Sequence, residues 1–374
     1  MADRKNQHYV PRHYLKRFCH VGTKLISLVH LESKRFVPIA PIDSQCSEDY
    51  FYGKDGKLEA ILGQIEHNAD PLFERILATQ EVPYDRPSRK DLIGVMAMLY
   101  SRTKRRIDEM SAGPEAMLKE SLLRMHRAGL LPEPPPSIKI ENVKVSLTDA
   151  PALAIYHTFS AIHLMADLGL KLLLAPPGIG FIASDHPVVV VNEMFHASGV
   201  LGAAGLANRG LQMFLPISPS CCVVAYDAEC YRISRPEKRS MQIERAEDMD
   251  LLNALQVINA DEHLYFHDPS LSAYVFNLLK RFKHLRGDAE HKIHRVPVPK
   301  PDGDEGLLII PSSPGVTPPG KWSFCKKRVH WGARDFGPRD PELCRLVRQW
   351  SKETSIPGKA ISFGEWLDQS GYAS

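Results

Sequence analysis

Four residues are of types that carry chemistry: His8, Glu66, Arg102 and Asp185. Glu66 and Arg102 stand at the apolar edges of predicted helices, His8 lies on an extended arm, and Asp185 lies in a turn between two predicted strands. Two of them are carboxylic acids, arginine is a permanent cation, and histidine titrates near neutrality. A buried charge without a partner is costly, so we expect the charged side chains to find partners. We predict that Arg102 pairs with Glu66 or Asp185 and that His8 lies close by.

Arg12 belongs to the densest polar run in the chain, residues 7–18. Pro11 fits the first turn of a helix, where its missing N–H is not needed. A helix that begins there separates an apolar face from a basic face that contains Arg12. Two interpretations stay open: the basic face is simply solvated, or His8 and Arg12 point into a pocket.

Together these five residues are candidates for a catalytic site. Glu66, Asp185 and His8 with a divalent cation would suit a nuclease-type hydrolysis. The lysine or second acidic residue expected beside Asp185 is missing from the sequence. The competing interpretation is a structural polar cluster, and an Asp two residues before proline also caps turns by accepting backbone N–H bonds.

Common catalytic motifs are missing from the sequence. There is no His-Glu-x-x-His, no Gly-x-Ser-x-Gly and no phosphate-binding glycine loop. The reaction class therefore cannot be assigned from a motif, and any site must be assembled from distant residues.

A second candidate surface lies near the C-terminus, where residues 321–331 mix cations with aromatic side chains. That mixture suits phosphate contact and base stacking on single-stranded nucleic acid. A basic amphipathic surface or a docking strand explains it equally well. The candidate nucleic-acid-binding residues are Lys321, Lys326, Lys327, Arg328 and Trp331.

The elements that must position these residues begin with helices. Residues 57–79 repeat apolar side chains at helical spacing and place Glu66 at the edge of the stripe. A second helix is predicted to be capped at Ser88, and its stripe ends on Arg102. Two more helices are predicted at about 114–128 and 148–168.

From about residue 170 to 267 the pattern changes to short apolar runs rich in branched residues, which predicts strands. We therefore expect an α+β fold, with a helical N-terminal half packed on a mostly antiparallel β-sheet. Residues 1–286 are predicted to form one domain, with the helical part at about 57–168. Residues 287–374 are predicted to be a Pro/Gly-rich C-terminal extension, partly disordered before Lys321.

Composition narrows the classes of protein that fit. The 374 residues carry a net charge of +3, so no general attraction to nucleic acid follows from charge. No apolar run approaches the roughly 20 residues needed to span a bilayer, and the first residues lack the apolar core of a signal peptide. The seven scattered cysteines favour reduced thiols. We expect a cytoplasmic protein without a membrane partner.

The run from His8 to Phe18 reads His-Tyr-Val-Pro-x-x-Tyr-Leu-x-x-Phe without a gap. It resembles the opening signature of the bacterial family catalogued as domain of unknown function 4238. The resemblance covers about residues 5–285 and departs from the pattern at His186, where Asn is usual. Shorter pieces fit in the same order at residues 49–52, 64–66, 100–103, 181–188, 215–219 and 252–260.

The resemblance implies no established activity, although some relatives look like single-gene anti-phage defence candidates. Two function hypotheses follow. The first is a defence effector that hydrolyses a bond in a nucleotide or nucleic acid, with a divalent metal as a candidate cofactor. The second is a sensor or interaction module that recognises a phage or host component through the same pocket without chemistry.

Overall fold

The computed structural model describes residues 5–135, 137–196, 205–235, 237–286, 292–299, 305–312, 315–329, 335–354 and 361–370. Within these ranges most helical residues lie in the N-terminal half, as the sequence predicts. In chain order the helices are α1 Arg12–Lys16, α2 Lys57–Thr79, α3 Arg86–Ser101, α4 Lys104–Arg127, α5 Ala150–Ser160, α6 Ala246–Asn259, α7 Ser272–Phe282, α8 Pro341–Thr354 and α9 Phe363–Ser370.

The strands of the described residues are mostly short and mostly paired in antiparallel fashion. In chain order they are β1 Asn6–His8, β2 Leu25–His30, β3 Phe36–Pro41, β4 Ser47–Asp49, β5 Gly169–Leu174, β6 Ala183–Ser184, β7 Val189–Val191, β8 Gln212–Ser218, β9 Cys221–Tyr226, β10 Tyr231–Ile233, β11 Ser240–Gln242, β12 His263–Phe266, β13 Lys292–Pro299, β14 Glu305–Ser312 and β15 Cys325–Lys327. The predicted α+β class is confirmed.

Two main sheets replace the single sheet that the sequence predicted for residues 170–267. One has the strand order β11-β5-β9-β8-β7, in which β11 and β5 are parallel and the other pairs antiparallel. The other has the order β3-β2-β12-β6. The second sheet combines an N-terminal hairpin with β12, more than 220 residues away. Sequence periodicity cannot reveal such a pairing, because it reports only local structure.

Both faces of the five-stranded sheet are buried. Leu215 and Val223 belong to an apolar cluster that includes residues of α2 and α3, whereas their neighbours Phe214 and Val224 belong to a cluster that includes residues of α6. Successive side chains of a strand point to opposite faces. The continuous apolar runs of β8 and β9 therefore follow from the helices that cover this sheet on each side.

Helices α2 and α3 bring the candidate site residues toward the N-terminal arm. The N-cap of α3 is Asp85, whose carboxylate accepts a hydrogen bond from the Ser88 amide at 2.8 Å. The helix thus begins at Arg86, earlier than the cap predicted at Ser88. At its end, Arg102 and Thr103 form the short junction between α3 and α4.

The later helices differ from their predicted bounds. Helix α4 begins at Lys104 rather than near Pro114, which lies inside it. One helix was predicted for residues 148–168. The structure has α5 up to Ser160 and then a separate 3-10 helix at Ile162–Met165. Proline is common in the first turn of a helix, but Pro114 lies in the interior of α4. The predicted start near Pro114 was therefore wrong.

Part of the C-terminal extension is ordered onto the rest of the chain. Strand β15 pairs with β10, and Trp322 packs its buried ring against Phe214 at a centroid distance of 5.3 Å. Before Lys321, where partial disorder was predicted, β13 and β14 form an antiparallel hairpin. The remaining residues of that prediction lie outside the described ranges. No helix in the described residues is both long and apolar enough to cross a membrane.

Candidate functional site

A pocket of about 520 Å³ opens where the N-terminal arm meets α2 and the end of α3. Most of the side chains around it are polar or charged. Four of the five predicted catalytic residues are among them. The lining residues are Asn6, His8, Pro11, Arg12, His13, Asp43, Glu59, Glu66 and Arg102.

Arg102 is the buried centre of this wall, with 1% of its surface exposed. Its guanidinium forms a salt bridge with Glu66, donates to the backbone oxygen of His8 at 2.6 Å, and donates to the Tyr52 hydroxyl at 3.0 Å. Burial alone would lower the pKa of Arg102, but Tyr52 and Glu66 outweigh it and raise that pKa. Arg102 thus pairs with Glu66, the first of its two predicted partners.

Glu66 connects Arg102 to helix α1. One carboxylate oxygen contacts Arg102, and the other lies 3.3 Å from Nδ1 of His13. Burial would raise the pKa of Glu66, but His13 and Arg102 outweigh it and hold that pKa below its ordinary value. Glu66 is therefore an ionised anchor that fixes the orientation of the His13 ring.

His8, at the end of β1, is one of the residues that line the pocket. Nε2 of His8 is buried and has no hydrogen-bond partner among the described residues. Burial first, and then the positive charge of Arg12, lower the pKa of His8, while the backbone of Asp43 acts in the opposite direction. The imidazole is therefore neutral at pH 7, and one of its nitrogens is left unbonded within the described part of the chain.

Arg12 lies at the exposed side of the pocket, where Nη1 contacts Oδ1 of Asp43 at 2.8 Å. The hydrogen bond from Arg12 holds the pKa of Asp43 below its ordinary value. About half of each side chain is exposed, at 50% and 57%. Exposed ion pairs of this kind contribute little to stability, so the guanidinium can exchange Asp43 for another anion.

Asp185 does not line this pocket. Its buried carboxylate accepts hydrogen bonds from the backbone amides of Asp261, Glu262 and His263 at 2.7–2.8 Å. Burial would raise the pKa of Asp185, but the hydrogen bonds from His263 and the backbone amides outweigh it and lower that pKa. The carboxylate accepts backbone N–H bonds, as the turn-capping interpretation expected, but the amides lie at and just before the start of β12, 76 to 78 residues further along the chain, and not in its own turn.

The divalent-cation site predicted from Glu66, Asp185 and His8 is not assembled in this fold. Asp185 is turned to β12, and both oxygens of Glu66 contact cationic side chains. In the described part of the chain, the side chains grouped closely enough to hold a metal ion are His30, Glu262 and His263, outside the pocket. The spacing of carboxylates along the sequence carries no information on where their side chains point.

The loop that carries Asp185 reaches the α3–α4 junction through the next residue. The ring Nδ1 of His186 contacts the Thr103 hydroxyl, and Asn259 donates to its backbone oxygen. Burial lowers the pKa of His186 to about 4, so its ring is neutral. The only sequence signal for this role of His186 was that His replaces the Asn that is usual at this position.

Three further site residues were not predicted: His13, Asp43 and Tyr52. His13 could have been found, because it follows Arg12 on the face that meets Glu66. Asp43 lies in a single-turn 3-10 helix, Ile42–Ser44, and Tyr52 lies in a turn, and neither segment has a periodic pattern. Their contacts with Arg12 and Arg102 arise only when the arm folds back onto α2 and α3.

The C-terminal cationic segment lies apart from the residues that line the pocket. Lys321, Lys326, Lys327 and Arg328 are exposed. Nζ of Lys327 lies 3.3 Å from Glu193, and Arg328 donates to a backbone oxygen on the neighbouring turn. Trp322 is buried, so it cannot stack on bases. Trp331 lies outside the described residues.

Comparison with known proteins finds a match for the part of the chain that contains the pocket. A family described as "Protein of unknown function (DUF4238)" matches residues 6–270, more than half of the 374-residue chain. The match includes every residue that lines the pocket and ends before the cationic segment. No curated protein and no solved structure matches. The chain therefore belongs to the DUF4238 family of proteins of unknown function.

Proposed function

We propose that this protein is a hydrolase that cleaves a phosphoester bond in a nucleotide or nucleic acid, with His8 as the general base. One observation carries the proposal. Nε2 of His8 is buried and lacks a hydrogen-bond partner among the described residues, and His8 is one of the residues that line the polar pocket. A buried polar atom without a partner costs free energy, and such atoms are rare unless a ligand or water completes them.

A neutral imidazole with an unbonded nitrogen is the group that takes a proton from water. The lowered pKa of His8 keeps the ring neutral at pH 7, so its lone pair is available. Positioned general bases contribute typically about 10²–10⁴-fold to rate. In the proposed step Nε2 takes a proton from the attacking water as its oxygen bonds to phosphorus, the P–O bond to the leaving group breaks, and the leaving oxygen takes a proton from solvent. Nε2 is buried in the free protein, so a side-chain movement must first open it to water.

Arg12 supplies the contact for a phosphate group. Its planar guanidinium matches two phosphate oxygens at once. The exposed ion pair with Asp43 holds the Arg12 guanidinium at the edge of the pocket. Because such pairs are weak, the guanidinium can leave Asp43 and bind a phosphate. A phosphate that replaces Asp43 would be placed beside the His8 ring, since both residues line the same pocket.

Arg102 and Glu66 act as positioning residues in this proposal. Arg102 already donates to Glu66, to Tyr52 and to the backbone of His8, which leaves little capacity for a substrate. Its contact with the His8 backbone fixes the end of β1. Glu66 in turn orients His13, the second imidazole on the pocket wall.

The charge balance of the pocket indicates a need for a counter-cation. Three carboxylates and two guanidinium groups line it, so a phosphate substrate would meet a net negative wall. A divalent ion that arrives with the substrate would offset this charge, as Mg²⁺ does when it binds substrate phosphates with only one or two carboxylates. The assay for this function must therefore supply Mg²⁺ or Mn²⁺.

The experiment incubates the purified full-length protein with plasmid DNA, RNA, transfer RNA and nucleoside triphosphates, each with Mg²⁺ or Mn²⁺. We expect at least one substrate to be cleaved by the wild type and spared by His8→Gln. The matched control is His67→Gln, which replaces an exposed histidine one residue after Glu66 on α2. If no substrate is lost, or if both variants cleave equally, the proposal is wrong.

A non-enzymatic sensor is the second candidate, and the three hydrogen bonds that Arg102 makes within the protein favour it. A buried arginine held in this way fixes the shape of a pocket as well for recognition as for catalysis. In this case a phosphate ligand would bind in equilibrium measurements, Arg12→Gln would weaken it, and no substrate would be consumed. Measurement of substrate turnover separates the two candidates, because only the hydrolase consumes its ligand.

We propose that this activity acts in anti-phage defence, because the family resemblance of the opening signature points to that setting. Expression of the wild type in a susceptible bacterial host should reduce phage plating efficiency, and expression of His8→Gln should not. Equal plating on both strains would contradict this setting and leave the assay with purified protein as the test of the chemistry.

A further inference from the structure

We propose a binding site for a divalent transition-metal ion, with zinc as the best fit, at His30, Glu262 and His263. Each residue offers one ligand atom, and these atoms all lie within 4.8 Å of one another. Two imidazoles and a carboxylate are a ligand set that holds zinc and leaves a fourth position open. The site is independent of the pocket and of the activity proposed for it.

The antiparallel pairing of β2 and β12 places the two histidines side by side. His263 is directly opposite His30 in the register, and their rings meet edge to face with centroids 4.9 Å apart. Directly opposed residues have Cβ atoms about 4.5–5.5 Å apart and share one face of the sheet. The ladder therefore fixes both imidazoles before any ion arrives.

Glu262 provides the oxygen ligand. One of its oxygens lies 3.8 Å from Nδ1 of His263, and the other lies 4.0 Å from Nζ of Lys104. Ligand atoms at zinc-ligand bond lengths of 2.0–2.1 Å and a tetrahedral angle lie roughly 3.4 Å apart. A small side-chain adjustment closes that difference, since the Glu262 side chain is 48% exposed.

The carboxylate of Asp185 lies next to the proposed metal ligands. Oδ2 of Asp185 lies 3.7 Å from Nδ1 of His263, and Asp185 is itself fixed by three backbone amides. This is the ring nitrogen that also faces Glu262, so Asp185 adds a negative charge beside the proposed ligands. That charge favours a cation at this site.

His30 has one ring nitrogen with a partner in the free protein. Its Nδ1 accepts a hydrogen bond from the Ser33 amide at 3.2 Å, which places the ring proton on Nε2. Binding of a metal ion to either nitrogen must therefore displace a proton or this hydrogen bond.

The test uses the full-length protein after treatment with a chelator. Calorimetric titration with ZnCl₂ should show one ion bound per chain. Glu262→Gln and His30→Gln should each weaken zinc binding by about 100-fold or more, because each removes a direct ligand. Glu262 is exposed, so its variant is expected to fold. His67→Gln is the matched control and should bind zinc like the wild type.

Titration with CoCl₂ separates this site from the seven free cysteines. We expect the visible absorption of a cobalt ion with nitrogen and oxygen ligands, and no thiolate charge-transfer band. Zinc affinity that is unchanged in Glu262→Gln and His30→Gln, absence of zinc binding by the wild type, or a thiolate band would each overturn the proposal.

Discussion

Nη2 of Arg102 donates a hydrogen bond to the backbone oxygen of His8 across 2.6 Å. This contact joins the end of α3 to the arm that carries the His8 ring. The same guanidinium pairs with Glu66 on α2, so one buried cation connects three segments of the chain. The position of His8 in the pocket therefore depends on Arg102.

Arg102→Met should destabilise the protein strongly. The substitution leaves Glu66 without its main counter-charge and leaves the Tyr52 hydroxyl and the His8 oxygen without a donor. Breaking one side of a buried ion pair costs about 3–5 kcal/mol. The measurement is the free energy of unfolding in urea.

The matched control for this prediction is Arg12→Met, which removes an exposed ion pair with Asp43. Exposed pairs contribute about 1 kcal/mol or less. Equal losses of stability in the two variants would show that the network around Arg102 does not hold the arm in place.

Asp185→Asn should reduce stability without reducing turnover per folded molecule. The amide cannot accept all three backbone hydrogen bonds as the carboxylate does, and hydrogen bonds to charged groups contribute about 1.5–3 kcal/mol each. We expect a loss of about 2–4 kcal/mol in the free energy of unfolding. A folded variant with normal stability and no activity would show that Asp185 acts in catalysis instead.

His186→Asn should change how stability depends on pH. The folded pKa of His186 is about 4, below the ordinary value of about 6.5. Between these values the unfolded chain binds a proton that the folded chain does not, so stability is lost as pH falls from 6.5 to 4. The full effect is about 3 kcal/mol, and it should be absent in the variant.

The comparison must be made between the two proteins, because Asp261 acts in the opposite direction. Burial first and the charge of Asp185 second raise the pKa of Asp261 to about 6, so its protonation favours the folded state over an overlapping pH range. Subtracting the two stability curves isolates His186. A difference that stays constant between pH 4 and 6.5 would contradict the prediction.

The sequence predicts the pairing of Arg102 with Glu66 because both residues stand at the apolar edges of periodic helices, where a charge must find a partner. The helical stripes that place them are local patterns, and local patterns can be read from one sequence. His8 could be placed because it lies just upstream of the helix start that Pro11 indicates.

The rest depended on contacts that no local pattern encodes. Asp185 satisfies three amides at the start of β12, and the sequence does not reveal which of several loops its carboxylate faces. The pairing of β2 with β12 likewise joins segments more than 220 residues apart. Such pairings are set by tertiary packing, which overrides local preference.

The exposed cations at residues 326–328, in β15 and directly after it, test the proposed contact with nucleic acid. We predict that replacing Lys326, Lys327 and Arg328 with Ser weakens binding of a single-stranded oligonucleotide. The slope of log affinity against log salt should fall by about 2, because each phosphate contact to a single strand contributes about 0.7. Fluorescence anisotropy at several salt concentrations measures both quantities.

The control for the β15 variant changes the same net charge elsewhere, through Lys24→Ser, Lys34→Ser and Lys144→Ser at exposed positions. It should leave the salt slope unchanged. If both triple variants lose affinity equally, the effect is one of overall charge and β15 is not the contact surface.

The central claim is that His8 acts as the general base of a hydrolase. The most direct measurement is the single-turnover rate of phosphoester cleavage at saturating substrate for the wild type, His8→Gln and His67→Gln. We predict a rate about 10²–10⁴-fold lower for His8→Gln, with substrate affinity retained and His67→Gln unaffected. Equal rates for His8→Gln and the wild type, or no cleavage by the wild type, would contradict it.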